Sequence, residues 1–118
     1  MSIWGRLKSL AGAQDTVTIA TSSATTALAV PDEANVIYLT GSNTVTTITG
    51  AISARGRIVW FFQSTGTTTF TNNPGTSTVG QMDLSGLDPA DVLLGPTDWL
   101  ILHQKKDGTW IRVLTTNN

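Results

Sequence analysis

The sequence predicts an all-β protein, and three observations predict it. Threonine is the commonest residue, 21 of 118, and its β-branched side chain is stiff at χ1 and fits a pleated surface. Apolar residues fall in short runs, several of them alternating with polar ones, as half-buried strands do. Clusters of Gly, Pro, Asn and Asp interrupt these runs about every ten residues, a spacing typical of sandwiches, barrels and β-solenoids. The expected architecture is a short-stranded β-sandwich or an intertwined β-helical trimer. It divides into a short N-terminal arm or helix over residues 1–13 and a β-rich domain over residues 14–118.

The elements follow in order. Residues 1–13 (MSIWGRLKSLAGA) place Ile3, Trp4, Leu7 and Leu10 near one face of a helix, with Arg6 and Lys8 off it. So short a helix, weakened by Gly5 and Gly12, has no stability alone in water. It reads as a frayed terminus, as a short helix folded back on its own domain, or as an arm that docks Trp4 and Leu7 on a partner. Residues 16–20 (TVTIA) alternate strictly and read as a strand. Residues 27–30 form a short apolar piece ended by Pro31, and residues 32–35 are turn material. Residues 36–40 (VIYLT) are a strand closed by Gly41, and residues 44–49 (TVTTIT) are the next, closed by Gly50.

The run 58–62 (IVWFF) shows no alternation and predicts a strand buried on both faces. Residues 67–71 extend again before the turn Asn72-Asn73-Pro74-Gly75. One short strand is expected around 81–84. Asp88 and Pro89 are positioned to open a single helical turn, stopped by Gly95-Pro96. Residues 99–104 and 109–114 read as a hairpin joined through Lys105-Lys106-Asp107-Gly108.

Composition narrows the function classes. Charged residues make up only 13% of the chain and the net charge is −1. An ordinary globular chain carries about 25% charged residues. So few charges hydrate a large free surface poorly, which favours an oligomer. The near-zero net charge offers no footprint for nucleic acid or an anionic membrane. No run approaches the roughly 20 apolar residues of a membrane-spanning helix, and no leader of signal-peptide form is visible. The expectation is a soluble protein made in a cytoplasm. With no cysteine, disulfides, thiolate metal sites and thiol nucleophiles are all excluded.

Catalytic chemistry finds little support. His103 is the only histidine and falls on a strand before a hairpin, an ordinary place for a surface or partly buried side chain. No nucleophile-elbow pattern, phosphate-cradling Gly loop or calcium-loop series is present. Asp15, Asp32, Glu33, Asp83, Asp88, Asp91, Asp98 and Asp107 mostly neighbour Gly, Pro or Asn, so turn capping accounts for them. A glycosidase carboxylate pair would need two of them across a cleft. The expectation is a chain that is not an enzyme and needs no cofactor or metal. Trp60, Trp99 and Trp110 lie in predicted strands, which favours core or subunit packing over sugar stacking.

Laid out in order, the segments 37–50 (IYLTGSNTVTTITG), 56–62 (GRIVWFF), 67–73 (TTTFTNN) and 98–113 (DWLILHQKKDGTWIRV) resemble a recurrent β-rich module. It belongs to virion structural proteins of tailed bacteriophages: tail fibres, tail spikes and small capsid-decorating (cement) proteins. The likeness covers about residues 36–114. The stretch 76–96 is longer than a minimal module. The chain carries no fibre shaft or enzymatic domain, so the resemblance implies a stand-alone decoration protein. It further implies a homotrimer on the capsid surface of the virion, bound to the major capsid protein. A tail-fibre, adaptor or receptor-binding protein touching a cell-surface glycan is the alternative.

From pattern, Ile3, Trp4, Leu7 and Leu10 are the expected capsid or partner contact. Val59, Phe61 and Phe70, with Arg55 and Arg57, are the expected trimer interface. The two arginines would meet an acidic turn such as Asp32-Glu33 of a neighbouring subunit.

Overall fold

A computed structural model describes residues 15–22, 26–50, 56–85 and 91–116. All described regular structure is β: β1 (Asp15–Ala20), β2 (Ala27–Ala29), β3 (Ala34–Thr40), β4 (Asn43–Val45), β5 (Thr47–Thr49), β6 (Ile58–Gln63), β7 (Thr68–Phe70), β8 (Met82–Asp83), β9 (Val92–Leu94), β10 (Trp99–Gln104) and β11 (Trp110–Thr115). The all-β expectation holds. The arm of residues 1–13, the helical turn opened by Asp88, and Arg55 lie outside the described residues.

The first seven strands wind as a solenoid-like stack within one chain. β1, β3 and β6 pair in parallel, β2 pairs β5 in parallel, and β4 pairs β7 in parallel. Thr16 pairs Val36 and Leu28 pairs Ile48, so the first two layers are offset by the same length of chain on both sides of the stack. The next step is longer, because Val36 pairs Trp60 and Asn43 pairs Thr68. Each layer thus contributes one strand to a broad side and short strands to narrower ones. Ile48 N–H donates to Gly80 O at 2.8 Å, which continues the β2–β5 side by one more step.

The corners stack too. Thr21, Gly41 and Gly66 follow β1, β3 and β6 at the same bend. Gly41 (φ +79°) and Gly66 (φ +76°) have left-handed backbones that favour glycine. A Cβ on Gly41 would lie 2.8 Å from Thr21 O, and one on Gly66 would run into the Gly41 backbone. Inside this corner Gln63 Nε2 donates to Gly41 O at 3.1 Å and also to Thr65 O. Asn43 Nδ2 donates to Thr40 O and to Thr68 Oγ1, each at 3.3 Å. Buried amides therefore tie one layer's turn to the next, which satisfies backbone groups the strands leave over.

After β7 the pairing changes sense. β9 runs antiparallel on β7, β10 antiparallel on β6, and β11 antiparallel on β10, with β8 parallel on β11. The result is a six-stranded sheet, β1-β3-β6-β10-β11-β8, beside sheets of two and three strands. The β10–β11 turn differs from the two-residue turn its Asp-Gly pair implies. Gly108 N–H donates back to Lys105 O and only Gly108 (φ +90°) is left-handed. That is a three-residue loop closing on a glycine bulge, with Asp107 Oδ1 accepting from Thr109 N–H and Oγ1–H.

The core fills the space between the sheets. Ile37, Leu39, Val59, Phe61, Leu100, Leu102 and Trp110 from the large sheet meet Leu28, Ile48, Val45, Phe70 and Leu94 from the small ones. Phe61 and Phe70 meet edge to face, with centroids 5.3 Å apart. β6 corrects the expectation of burial on both faces. Val59, Phe61 and Gln63 point inward, while Ile58, Trp60 and Phe62 alternate outward and are exposed or half-buried.

Candidate functional site: the outer face of the six-stranded sheet

The register that buries one side of the large sheet aligns the other side into rows. One row reads Thr16, Val36, Trp60, Ile101, Leu114, and the next Thr18, Tyr38, Phe62, Trp99. A third joins Ile58, His103 and Ile111. None of these residues is Asp, Glu, Lys or Arg, and none belongs to the core cluster. Ile58 is 45% exposed and Leu114 55%.

Aromatic rings dominate the centre. Tyr38 and Phe62, direct partners in register, meet edge to face at 5.7 Å. Trp60 and Trp99, diagonal neighbours across β6 and β10, stack at 5.6 Å with planes 18° apart, within the reach expected of diagonal pairs. The sequence puts aromatics here because a β-strand sends alternate residues outward. The apparently continuous run IVWFF is therefore two apolar sets, one for the core and one for this face. Most of these side chains are half-buried and Ile101 is buried, so the exposed apolar surface lies mainly at Ile58 and Leu114 and over the ring faces between them.

The structure redistributes the predicted interface residues. Val59, Phe61 and Phe70 are fully buried inside a single chain, so they serve its core and have no surface left for a neighbouring subunit. Val59 and Phe61 alternate with Ile58, Trp60 and Phe62 in β6, one residue away from the outward set, while Phe70 faces the core from β7. Arg57 does reach the acidic turn, but the turn of its own chain. Its Nη1 donates to Pro31 O at 2.7 Å and Asp32 O at 3.1 Å, and Nη2 donates to Val30 O at 3.2 Å. The guanidinium also lies 5.8 Å from the Trp110 ring centroid. Burial lowers the Arg57 pKa, and the Asp32 carboxylate opposes that shift. Arg57 is thus a clamp from the β6 entry to the β2–β3 turn. Ile3, Trp4, Leu7, Leu10 and Arg55 lie outside the described residues.

Most described acids sit in turns or beside strand ends, as their neighbours in sequence imply, while Asp15 opens β1 and Asp83 closes β8. Asp83 Oδ2 accepts from Gly75 N–H and Oδ1 from Ser85 N–H. Asp98 Oδ2 accepts from Gly95 N–H at 2.8 Å, and Asp91 Oδ1 from Asn72 N–H at 2.8 Å. The Asp83 pKa is lowered, chiefly by hydrogen bonding from Ser85 and Gly75. Among the described residues no group of three His, Cys, Asp or Glu side chains is placed to hold a metal ion. His103 stands half-buried in the outer rows between Ile58 and Ile111. No described helix is long and apolar enough to cross a membrane.

The rows Tyr38–Phe62–Trp99 and Val36–Trp60–Ile101 escape sequence reading because the parallel register that aligns β3 with β6 joins them across a whole circuit of chain, with no visible repeat. Comparison with protein-family models, with curated proteins and with solved structures finds no match to this chain.

Proposed function

We propose that this chain is a structural subunit of a tailed-phage virion: a capsid decoration protein that forms a homotrimer and strengthens the shell by gripping major capsid subunits. The observation that carries the reading is the uncharged, aromatic outer face of the six-stranded sheet. Such a surface gains free energy by being covered, at about 25 cal/mol per Å² of apolar area removed from water. The ordered set of segments resembling phage virion modules supplies the biological setting. With Val59, Phe61 and Phe70 inside the core, the contact surface moves to this aromatic side of the molecule. The arm residues Ile3, Trp4, Leu7 and Leu10, which lie outside the described residues, are the proposed second contact. The role needs no catalytic group or cofactor.

A second reading rests on the stacked Trp60–Trp99 pair. Flat aromatic surface also suits the apolar face of a sugar ring, as a tail-fibre adaptor or receptor-binding protein would require. Two measurements separate the readings. Light scattering of the purified chain at micromolar concentration is expected to give the mass of a trimer, and the trimer is expected to co-sediment with bare phage capsids. A monomer that ignores capsids and binds a glycan panel would overturn the decoration reading in favour of the second.

A further inference from the structure

We propose that the outer aromatic face is the docking site of the chain's own N-terminal segment, residues 1–13, bound in cis. The inference concerns the chain off the virion, where the arm covers this face until a capsid displaces it, and it does not depend on the virion reading.

Connection and length carry the choice of occupant. Asp15 opens β1, the edge strand of the six-stranded sheet, so the preceding segment joins the sheet at the border of this face. Neighbouring strands lie about 4.8 Å apart, so β10 is roughly 14 Å from β1. The stretch from Leu10 to Asp15 spans up to about 17 Å when extended. A helical path from Leu10 back to Ile3 adds about 10 Å. The segment is therefore long enough to reach from the β1 edge to Trp99 and to lie across the rows between them.

Chemistry matches as well. The sequence places Ile3, Trp4, Leu7 and Leu10 on one helical side and Arg6 and Lys8 off it. The sheet offers an uncharged surface of Tyr38, Phe62 and Trp99, the last two half-buried partners in one row. Laid on it, the apolar side is covered and both cations stay in water. A segment this short does not hold a helix by itself, so it gains its structure from the face. Its tether gives an effective concentration of order millimolar, above that of any free competitor at micromolar protein.

The test uses the full chain. It has no cysteine, so Ser9→Cys accepts a single nitroxide beside Lys8, off the apolar side. The expected result is loss of amide signals at Tyr38, Phe62 and Trp99, with Thr44, Thr69 and Leu93 on the three-stranded sheet unaffected. A mixture of isotope-labelled chain without nitroxide and unlabelled chain with it is expected to show no such loss. Loss confined to the mixture would overturn the proposal, because the occupant would then be a second copy's arm. Retained signals across the face would overturn it outright. As a second readout, Trp4→Ala with Leu7→Ala is expected to raise hydrophobic-dye fluorescence several-fold with the β-sheet circular dichroism unchanged. Unchanged dye binding with an intact sheet would contradict the proposal.

Discussion

The two ends of the strand stack are built differently. At one end β9, β10 and the β10–β11 hairpin lie antiparallel across the third layer, and Leu94, Leu100, Leu102 and Trp110 are fully buried there. At the other end β1 and β2 form the first layer, and among the described strands nothing pairs with their outer edges. Val17 and Ile19 of β1 are only partly buried against the core. Stacked folds need their terminal layers capped, because each layer buries its apolar side against neighbours. Among the described residues the antiparallel strands supply that cap at one end. The difference teaches that one stack can bury its apolar side chains fully at one end and only partly at the other.

Replacing core residues at the two ends is expected to show the asymmetry most strongly. Trp110→Ala at the capped end should cost about 3–5 kcal/mol in denaturant unfolding, the range for a buried aromatic. Ile19→Ala at the open end should cost well under half of that, since its side chain is already partly hydrated. Equal losses would erase the comparison. Gly66→Ala, in the corner that joins the second and third layers, combines a left-handed backbone with a steric overlap on Gly41. It is expected to cost about 2–4 kcal/mol, consistent with strain at a special backbone position. Its thermal midpoint checks the close stacking of turns.

Arg57→Lys sharpens the picture at smaller scale. A lysine keeps the charge but cannot span three carbonyls and lie over Trp110 as a planar guanidinium does. A loss of about 1–2 kcal/mol is expected, read from urea unfolding. The smallest effect concerns pH. The folded Asp83 pKa lies below its unfolded value, so its contribution is present above pH ~4 and is lost as pH falls through the folded pKa. Because the group is largely exposed, solvent screening keeps the effect small. Asp83→Asn should flatten the acid limb of the stability curve slightly, without moving stability at neutral pH by more than the loss of the Gly75 and Ser85 contacts.

Much of the fold was legible where local chemistry decides it. β3, β6, β10 and β11 announce themselves through β-branched and aromatic runs between turn residues. Parallel stacking was not legible, because the offset between layers lengthens from the first step to the second and the layers share little identity. The surviving trace is the corner series Ala20-Thr21-Ser22, Thr40-Gly41-Ser42 and Ser64-Thr65-Gly66, each following an apolar strand. Residues 44–49 read as one strand, yet Thr46 breaks them into β4 and β5 in different sheets. Its N–H and Oγ1–H both donate to Thr26 O, at 2.8 and 3.0 Å, which turns the chain at a corner no propensity scale contains. β9 was missed because so short a strand beside Gly95-Pro96 carries too little pattern.

The candidate surface failed to appear for a related reason. Alternation in β6 is hidden by aromatic residues on both sides, so Val59 and Phe61 stood in for Trp60 and Phe62. Only the cross-strand register shows that Tyr38, Phe62 and Trp99 lie in one row.

Native-state hydrogen exchange tests this difference between the two ends most directly. The amides of Val17 and Ile19 in β1 are expected to exchange by local opening, at a free energy clearly below that of global unfolding. Those of Phe61 in β6 and Leu102 in β10 should exchange only when the whole chain unfolds. Equal protection across β1, β6 and β10 would contradict the account, because it would show the first layer sealed as firmly as the third.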